Sequence, residues 1–171
     1  MPTYPDDLIK SVLRSTKVIA MVGASGNEMR PSYFAMKYLL DKGFKVIPVN
    51  PGMAGKQILG QTVYASLKDA PAPVDMVDIF RASDAAPAVV REALGEKDRL
   101  GIKTIWMQLG IISEEAAALA REAGLTVVMD RCPKIEYGRL SGEISWLGVN
   151  RRTIDNRKPL LFSKGGALRR I

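Results

Sequence analysis

Small and polar side chains gather just past a glycine that ends an apolar run. Gly23, Ala24 and Ser25, then Arg30 and Ser32, lie in "KVIAMVGASGNEMRPS" (17–32). The chemistry such a set suits is anion binding. A glycine lets the backbone turn tightly, and amides ahead of a helix point at a phosphate. Ser25 offers a hydroxyl, and Arg30 a planar fork for two phosphate oxygens. A plain strand-to-helix turn with a surface arginine uses the same residues, so the pattern alone leaves both readings open. The dinucleotide fingerprint G-x-G-x-x-G is absent, because Ser25 and Glu28 stand where its second and third glycines belong.

Three more run ends carry chemistry. Asn50-Pro51 follows "FKVIPVN" (44–50), at the place where an NAD domain carries an acid for the ribose hydroxyls. Asn50 suits a turn cap and Pro51 stiffens it; with backbone amides and Lys56 nearby, the same loop suits a nucleotide or a pyrophosphate. Phe80-Arg81 ends "VDMVDIF" (74–80). Phe80 either closes the core or offers an adenine a flat apolar face, with a guanidinium beside it for phosphate. Gln108, Gly110 and Ile111 follow the run at 103–109.

Other chemistries are excluded by composition. With no histidine and one cysteine, the chain has no Ser-His-Asp or Cys-His hydrolase, no phosphohistidine route and few options for zinc. Neither a catalytic residue nor a metal ligand is assigned. Cys132, between Arg131 and Pro133-Lys134, reads first as a small packed residue; a reactive thiol at a helix start is the competing reading. Asp130 and Glu136 sit among Arg131, Lys134 and Arg139, as structural ion pairs do. The Met-rich strands read as flexible core filling.

Elements must position these residues. Five short apolar runs, at 17–23, 44–50, 74–80, 103–109 and 125–130, read as strands buried on both faces. Helices alternate with them. One spans about Ser32–Lys42, stopped by Gly43; one starts at Asp84 as N-cap and runs to about Lys97; one is capped by Ser113 and stopped by Gly124. An opening helix over about 5–14 is expected to be peripheral. Residues 51–73 read as a loop with one helical turn near 65–68. The alternation predicts an α/β fold: a Rossmann-like, doubly wound, mainly parallel sheet of about five strands in a single domain. The expected divisions are an N-terminal helix at 1–16, the sheet domain at 17–140 and a tail at 141–171.

The 171 residues are 47% hydrophobic and 25% charged, the balance of a soluble globular domain. Residues 151–171 hold seven basic side chains against one acid, so most of the +7 net charge lies in the tail. The one aromatic of residues 151–171, Phe162, and the lack of a groove-reading helix argue against specific nucleic-acid binding. The sequence lacks an 18-residue apolar stretch, a signal-peptide pattern and a cysteine pair, which points to a cytoplasmic protein without a membrane span.

The segments "VGAS…RPS", "KVIPVNPG", "ILG", "VDMVDIFR", "IWMQLGI" and "MDRCPKIEYGRL" occur in this order over about 12–140. As a set the chain resembles the small stand-alone CoA-binding proteins. Their fold is that of the CoA-binding domain of succinyl-CoA synthetase α subunits and NDP-forming acyl-CoA synthetases. The resemblance implies CoA or acyl-CoA held at Gly23, Ala24, Ser25, Arg30, Ser32, Asn50, Pro51, Phe80 and Arg81, with Gln108, Gly110 and Ile111 along the pantetheine path. It implies binding without ligase chemistry, since the synthetase's phosphorylated histidine has no counterpart in a chain without histidine. The alternatives are an NAD(P)-binding redox domain of the same fold and an accessory subunit in acyl-CoA chemistry. A homo-oligomer is compatible with either.

Overall fold

Apolar, β-branched runs become the strands of a computed structural model that describes residues 2–142. In chain order the elements are α1 (Asp6–Ser15), β1 (Val18–Val22), α2 (Pro31–Asp41), β2 (Lys45–Val49), β3 (Gln57–Ile58), β4 (Gln61–Thr62), β5 (Met76–Ile79), α3 (Ala86–Gly95), α4 (Lys97–Leu100), β6 (Thr104–Met107), α5 (Glu114–Glu122), β7 (Thr126–Val128) and α6 (Pro133–Leu140). Most of the expected basic tail, including Trp146 and residues 159–162, lies outside the described residues.

Five strands form one sheet in the order β2-β1-β5-β6-β7, every pair parallel. This is the doubly wound Rossmann-like α/β fold read from the sequence. Its strands are mostly apolar because both faces are covered. On one face Ala20, Val22, Val77, Ile79, Ile105 and Met107 pack with Val90 of α3 and Ala117 of α5. On the other, Ile19, Met21, Met76, Trp106 and Val128 pack with α1, α2 and Tyr137 of α6. The indole of Trp106 donates to the Arg131 carbonyl at 2.7 Å, which satisfies its buried N–H. Pro48, which has no N–H to give, is tolerated because β2 lies at the sheet edge. Asp75 receives the Lys17 and Val18 amides at 2.9 and 3.0 Å. Burial works to raise its pKa, but these amides and Lys103 hold the carboxyl below its ordinary value.

Three local expectations change. The opening helix is not peripheral: Ile9 and Leu13 of α1 are 1% and 2% exposed, each buried side chain worth about 1.5–3 kcal/mol. The segment just before α1 also fastens the far edge of the sheet. The Met129 amide donates to the Tyr4 hydroxyl at 2.8 Å, Arg131 donates to the Pro2 carbonyl at 3.0 Å, and Arg139 pairs with Asp6 at 2.7 Å. The stretch 51–73 is not all loop. It holds the antiparallel β3–β4 hairpin, whose tip residues Leu59 and Gly60 have φ 49° and 75°, as a tight two-residue turn requires. The expected helical turn near 65–68 is present as a 3₁₀ turn at Leu67–Asp69. Helix α3 begins at Ala86 rather than after an Asp84 cap, because the Ala85 amide closes a turn onto the Ala82 carbonyl. Pro87 stays in its first turn. Ser113 caps α5 as expected, its hydroxyl accepting from the Ala116 amide.

Candidate functional site

The chain leaves β1 toward β2 and later returns to β1's other side as β5, so the topological switch point lies between the carboxyl ends of β1 and β5. Gly23 and Phe80 stand there. The Phe80 amide donates to the Val22 carbonyl at 2.8 Å and the Gly23 amide to the Val49 carbonyl at 2.9 Å. Gly23 has φ 88°, and a Cβ on it would stand 2.9 Å from the Phe80 carbonyl oxygen and 3.1 Å from Arg81 Cδ. Glycine is therefore required twice, by conformation and by close approach. The two strand ends form a cradle with the Arg81 stem lying across it.

The loop after Gly23 is held from within. The Ser25 amide donates to Ser32 Oγ at 3.2 Å, the Asn27 amide to Ser25 Oγ at 3.1 Å, and the Met29 amide to Asn27 Oδ1 at 2.9 Å. Ser32 is thus buried as a loop brace. Ser25 Oγ keeps its proton for a further acceptor. Arg30 is exposed, and it stands as the N-cap of α2 in extended backbone with Pro31 following.

Asn50 ties the second loop to the first. Its Nδ2 donates to the buried Ala24's carbonyl at 2.8 Å and its Oδ1 accepts from the Gly52 amide at 2.9 Å, opening a 3₁₀ turn at Pro51–Met53. The side chain is engaged at both ends. Met53 then folds over the first loop, and a Cβ on Gly26 would meet its Cε at 2.8 Å. Gly26 and Met53 were not among the sequence candidates; a contact between two loops leaves no local pattern. Phe80 is half-buried against the α2 side of the core, while Arg81 and Lys56 are exposed.

So Gly23, Ala24, Ser25, Arg30, Ser32, Asn50, Pro51, Phe80 and Arg81 lie past the carboxyl ends of β1, β2 and β5, on one edge of the sheet. The 108–111 loop lies one strand further on. Gly110 is exposed with φ 76°, and its amide donates to Asp130 Oδ1 at 2.8 Å. Ile111 packs on the core. Gln108 turns inward: its Nε2 lies 3.0 Å from both carboxylate oxygens of Asp78. Asp78 is wholly buried in β5, and burial pushes its pKa up to about 8 against the opposing Gln108 hydrogen bond. An acid inside an apolar central run is its signal in the sequence, and the candidate residues do not include it. Cys132 is buried at the start of α6, and burial raises its thiol pKa, in keeping with a packed residue and against a thiolate.

The comparisons with known proteins follow the same segments. Residues 17–138 match the family described as CoA binding domain. The uncharacterized protein YneT of Bacillus subtilis (strain 168) is 39% identical over 129 residues, covering 75% of this chain and 91% of that one. A hypothetical protein from Pyrococcus horikoshii OT3 superposes with a TM-score of 0.74 at 36% identity, over 82% of this chain and 98% of that one. A dinucleotide-forming acetyl-coenzyme A synthetase of Ca. Korarchaeum cryptofilum gives a TM-score of 0.55 at 26% identity, over 66% of this chain and 25% of the synthetase. The match takes in the sheet, both crevice loops and the start of α6, and with it the chain belongs to the CoA-binding domain family.

Proposed function

We propose that the chain binds CoA or an acyl-CoA across the β1–β5 crevice and carries out no ligase step of its own. The observation that carries this reading is the pairing of the Gly23 cradle with an engaged Asn50. A phosphate chain finds a close backbone approach at Gly23, a serine hydroxyl at Ser25 and three exposed cations, Arg30, Lys56 and Arg81. A nicotinamide dinucleotide finds no acid at the β2 end, and the asparagine in its place is bonded to Ala24 and Gly52.

In this reading Ser25, Arg30 and the start of α2 hold the diphosphate. The Asn50-Pro51 loop and Phe80 flank the adenosine, with Lys56 and Arg81 as further phosphate partners. Gly110 and Ile111 border the pantetheine arm, and Gln108 supports their loop from below. The ligand's thiol or thioester supplies the reactive chemistry; these residues bind and orient it. Absence of histidine from the chain supports binding rather than phosphoryl relay. A cytoplasmic site of action fits a single cysteine with no partner in the chain. No helix among the described residues is long and apolar enough to cross a membrane.

Calorimetric titration with CoA, acetyl-CoA, NAD and NADP tests the reading. Binding of a CoA species tighter than either dinucleotide is expected. The reverse order overturns it.

A further inference from the structure

Asp78 is the group that the crevice reading leaves unused. It pairs in register with Met21 of β1 and Trp106 of β6, so it lies in the centre of the sheet. Side chains alternate along a strand, so Asp78 shares a face with Phe80, roughly 6–7 Å below the crevice lip. Its partner Gln108 opens the 108–111 loop, and the Ile111 amide donates to the Gln108 carbonyl at 2.9 Å. Carboxyl, amide and loop are one connected unit.

The surroundings do little to stabilise a charge there. Met21 and Trp106 flank it in the sheet, and Ile9, Leu13, Met36 and Leu39 of α1 and α2 cover this face. At the start of α6 stands Cys132, whose thiol feels the field of the carboxylate, and Tyr137 of α6 is buried on the same face. Further along α6, Glu136 is paired with Arg131 and Arg139, and Lys134 sits over the Tyr38 ring. Asp130, after β7, accepts from the Gly110 amide; Arg30 and Arg81 are exposed at the lip. Gln108 can serve both states of the acid. Its amide nitrogen donates to the ionised carboxylate, and turned over, its oxygen accepts from the neutral acid.

We propose that Asp78 is a proton-carrying positioning residue: an anionic ligand at the β1–β5 lip selects the form of the protein in which this carboxyl is neutral, and Gln108 conveys the protonation state to the 108–111 loop. The inference rests on the CoA reading. No bond is made or broken; one proton is taken from solvent on binding at alkaline pH. An ionised Asp78 lies below the ligand's phosphates in a medium of low dielectric, and the two like charges disfavour each other.

The test uses the full chain and S-methyl-CoA, whose thioether does not ionise. Calorimetric titrations run from pH 7 to pH 9, in pairs of buffers with different heats of protonation. With a carboxyl that titrates near 8 in the free protein, affinity is expected to fall about tenfold between pH 7 and pH 9. Proton uptake approaches one per ligand at the upper end. Asp78→Asn is expected to abolish the uptake and flatten the profile. Should that variant fail to fold, carboxyl-carbon NMR of the parent gives the same answer: the Asp78 midpoint moves upward when ligand is added. An unmoved midpoint, or uptake that persists in Asp78→Asn, overturns the proposal while leaving CoA binding intact. Failure of both CoA and S-methyl-CoA to bind at any pH overturns the CoA reading and this inference with it.

Discussion

Gly23→Ala is the sharpest perturbation of the crevice. At φ 88° an L side chain is strained by about 1–2 kcal/mol. The new Cβ would also stand 2.9 Å from the Phe80 carbonyl oxygen, a backbone atom held in the β1–β5 ladder. Relieving that contact means parting the β1 and β5 ends, which the Phe80 amide ties to the Val22 carbonyl, an overpacking cost of about 1–3 kcal/mol. Together the terms come to about 2–5 kcal/mol, centred near 3.5. For a chain of 171 residues this lowers Tm by roughly 10 °C. Gly60→Ala is the control. Its φ is 75°, but nothing lies within 4 Å of the added carbon, so only the conformational cost of about 1–2 kcal/mol applies, roughly 4 °C. Scanning calorimetry of both variants beside the parent gives the comparison, and CoA titration of Gly23→Ala should show weakened binding. Equal falls in Tm for the two variants would refute the reasoning, because the close approach at Phe80 would then carry no energy.

Asp78→Asn bears on stability as well as binding. The native carboxyl keeps its proton up to a pH of about 8, while the unfolded chain releases it near 3.8, so the parent loses stability as pH rises between these values. The loss is at most about 1.4 kcal/mol per pH unit, and asparagine does not share it. Urea unfolding at pH 5 and pH 7 should show the variant gaining on the parent; a constant gap contradicts the buried-acid account. Asn50→Ala removes the bonds to the Ala24 carbonyl and the Gly52 amide and is expected to cost about 1–3 kcal/mol in thermal unfolding. Asn50→Asp keeps the Gly52 acceptor but sets an anionic oxygen against the Ala24 carbonyl, so a loss at least as large as alanine's is expected, and parental stability would show that the Ala24 bond carries no energy. Arg30→Ala should weaken CoA binding by about 1.5–3 kcal/mol with Tm unchanged, since the side chain is exposed; unaltered affinity would leave the phosphates to Ser25 and Arg81.

The sheet was legible because burial on both faces writes itself as continuous apolar runs: residues 17–23 contain Val18–Val22, and 103–109 contain Thr104–Met107. The cap at Ser113 was legible because it depends on one or two adjacent residues. The crevice was legible in outline, since strand ends are fixed by the strands. Missed features depend on tertiary partners. Strands β3 and β4 have two residues each, too short for any period. Asp78 hid in an apolar run, and its meaning required Gln108, 30 residues away. Helix α1 was judged peripheral because its partner, α6, lies at the other end of the described chain.

That pairing sets an order of events during synthesis. The bonds Tyr4–Met129, Pro2–Arg131 and Asp6–Arg139 join residues 125, 129 and 133 positions apart. Helix α1 is made before every strand of the sheet, yet its docking partner α6 is made after the last of them. At typical elongation rates, residues 2–13 therefore wait on the order of ten seconds, with Ile9, Val12 and Leu13 lacking that partner. Contacts of such long sequence separation are slow to form, because loop closure precedes any energetic return. Closure of the N-terminal segment over the edge at β7 has to wait for residues 129–139. A bulky fusion ahead of Pro2 would burden that closure, and a nascent chain halted before Pro133 would leave α1 with the sheet but without its α6 partner.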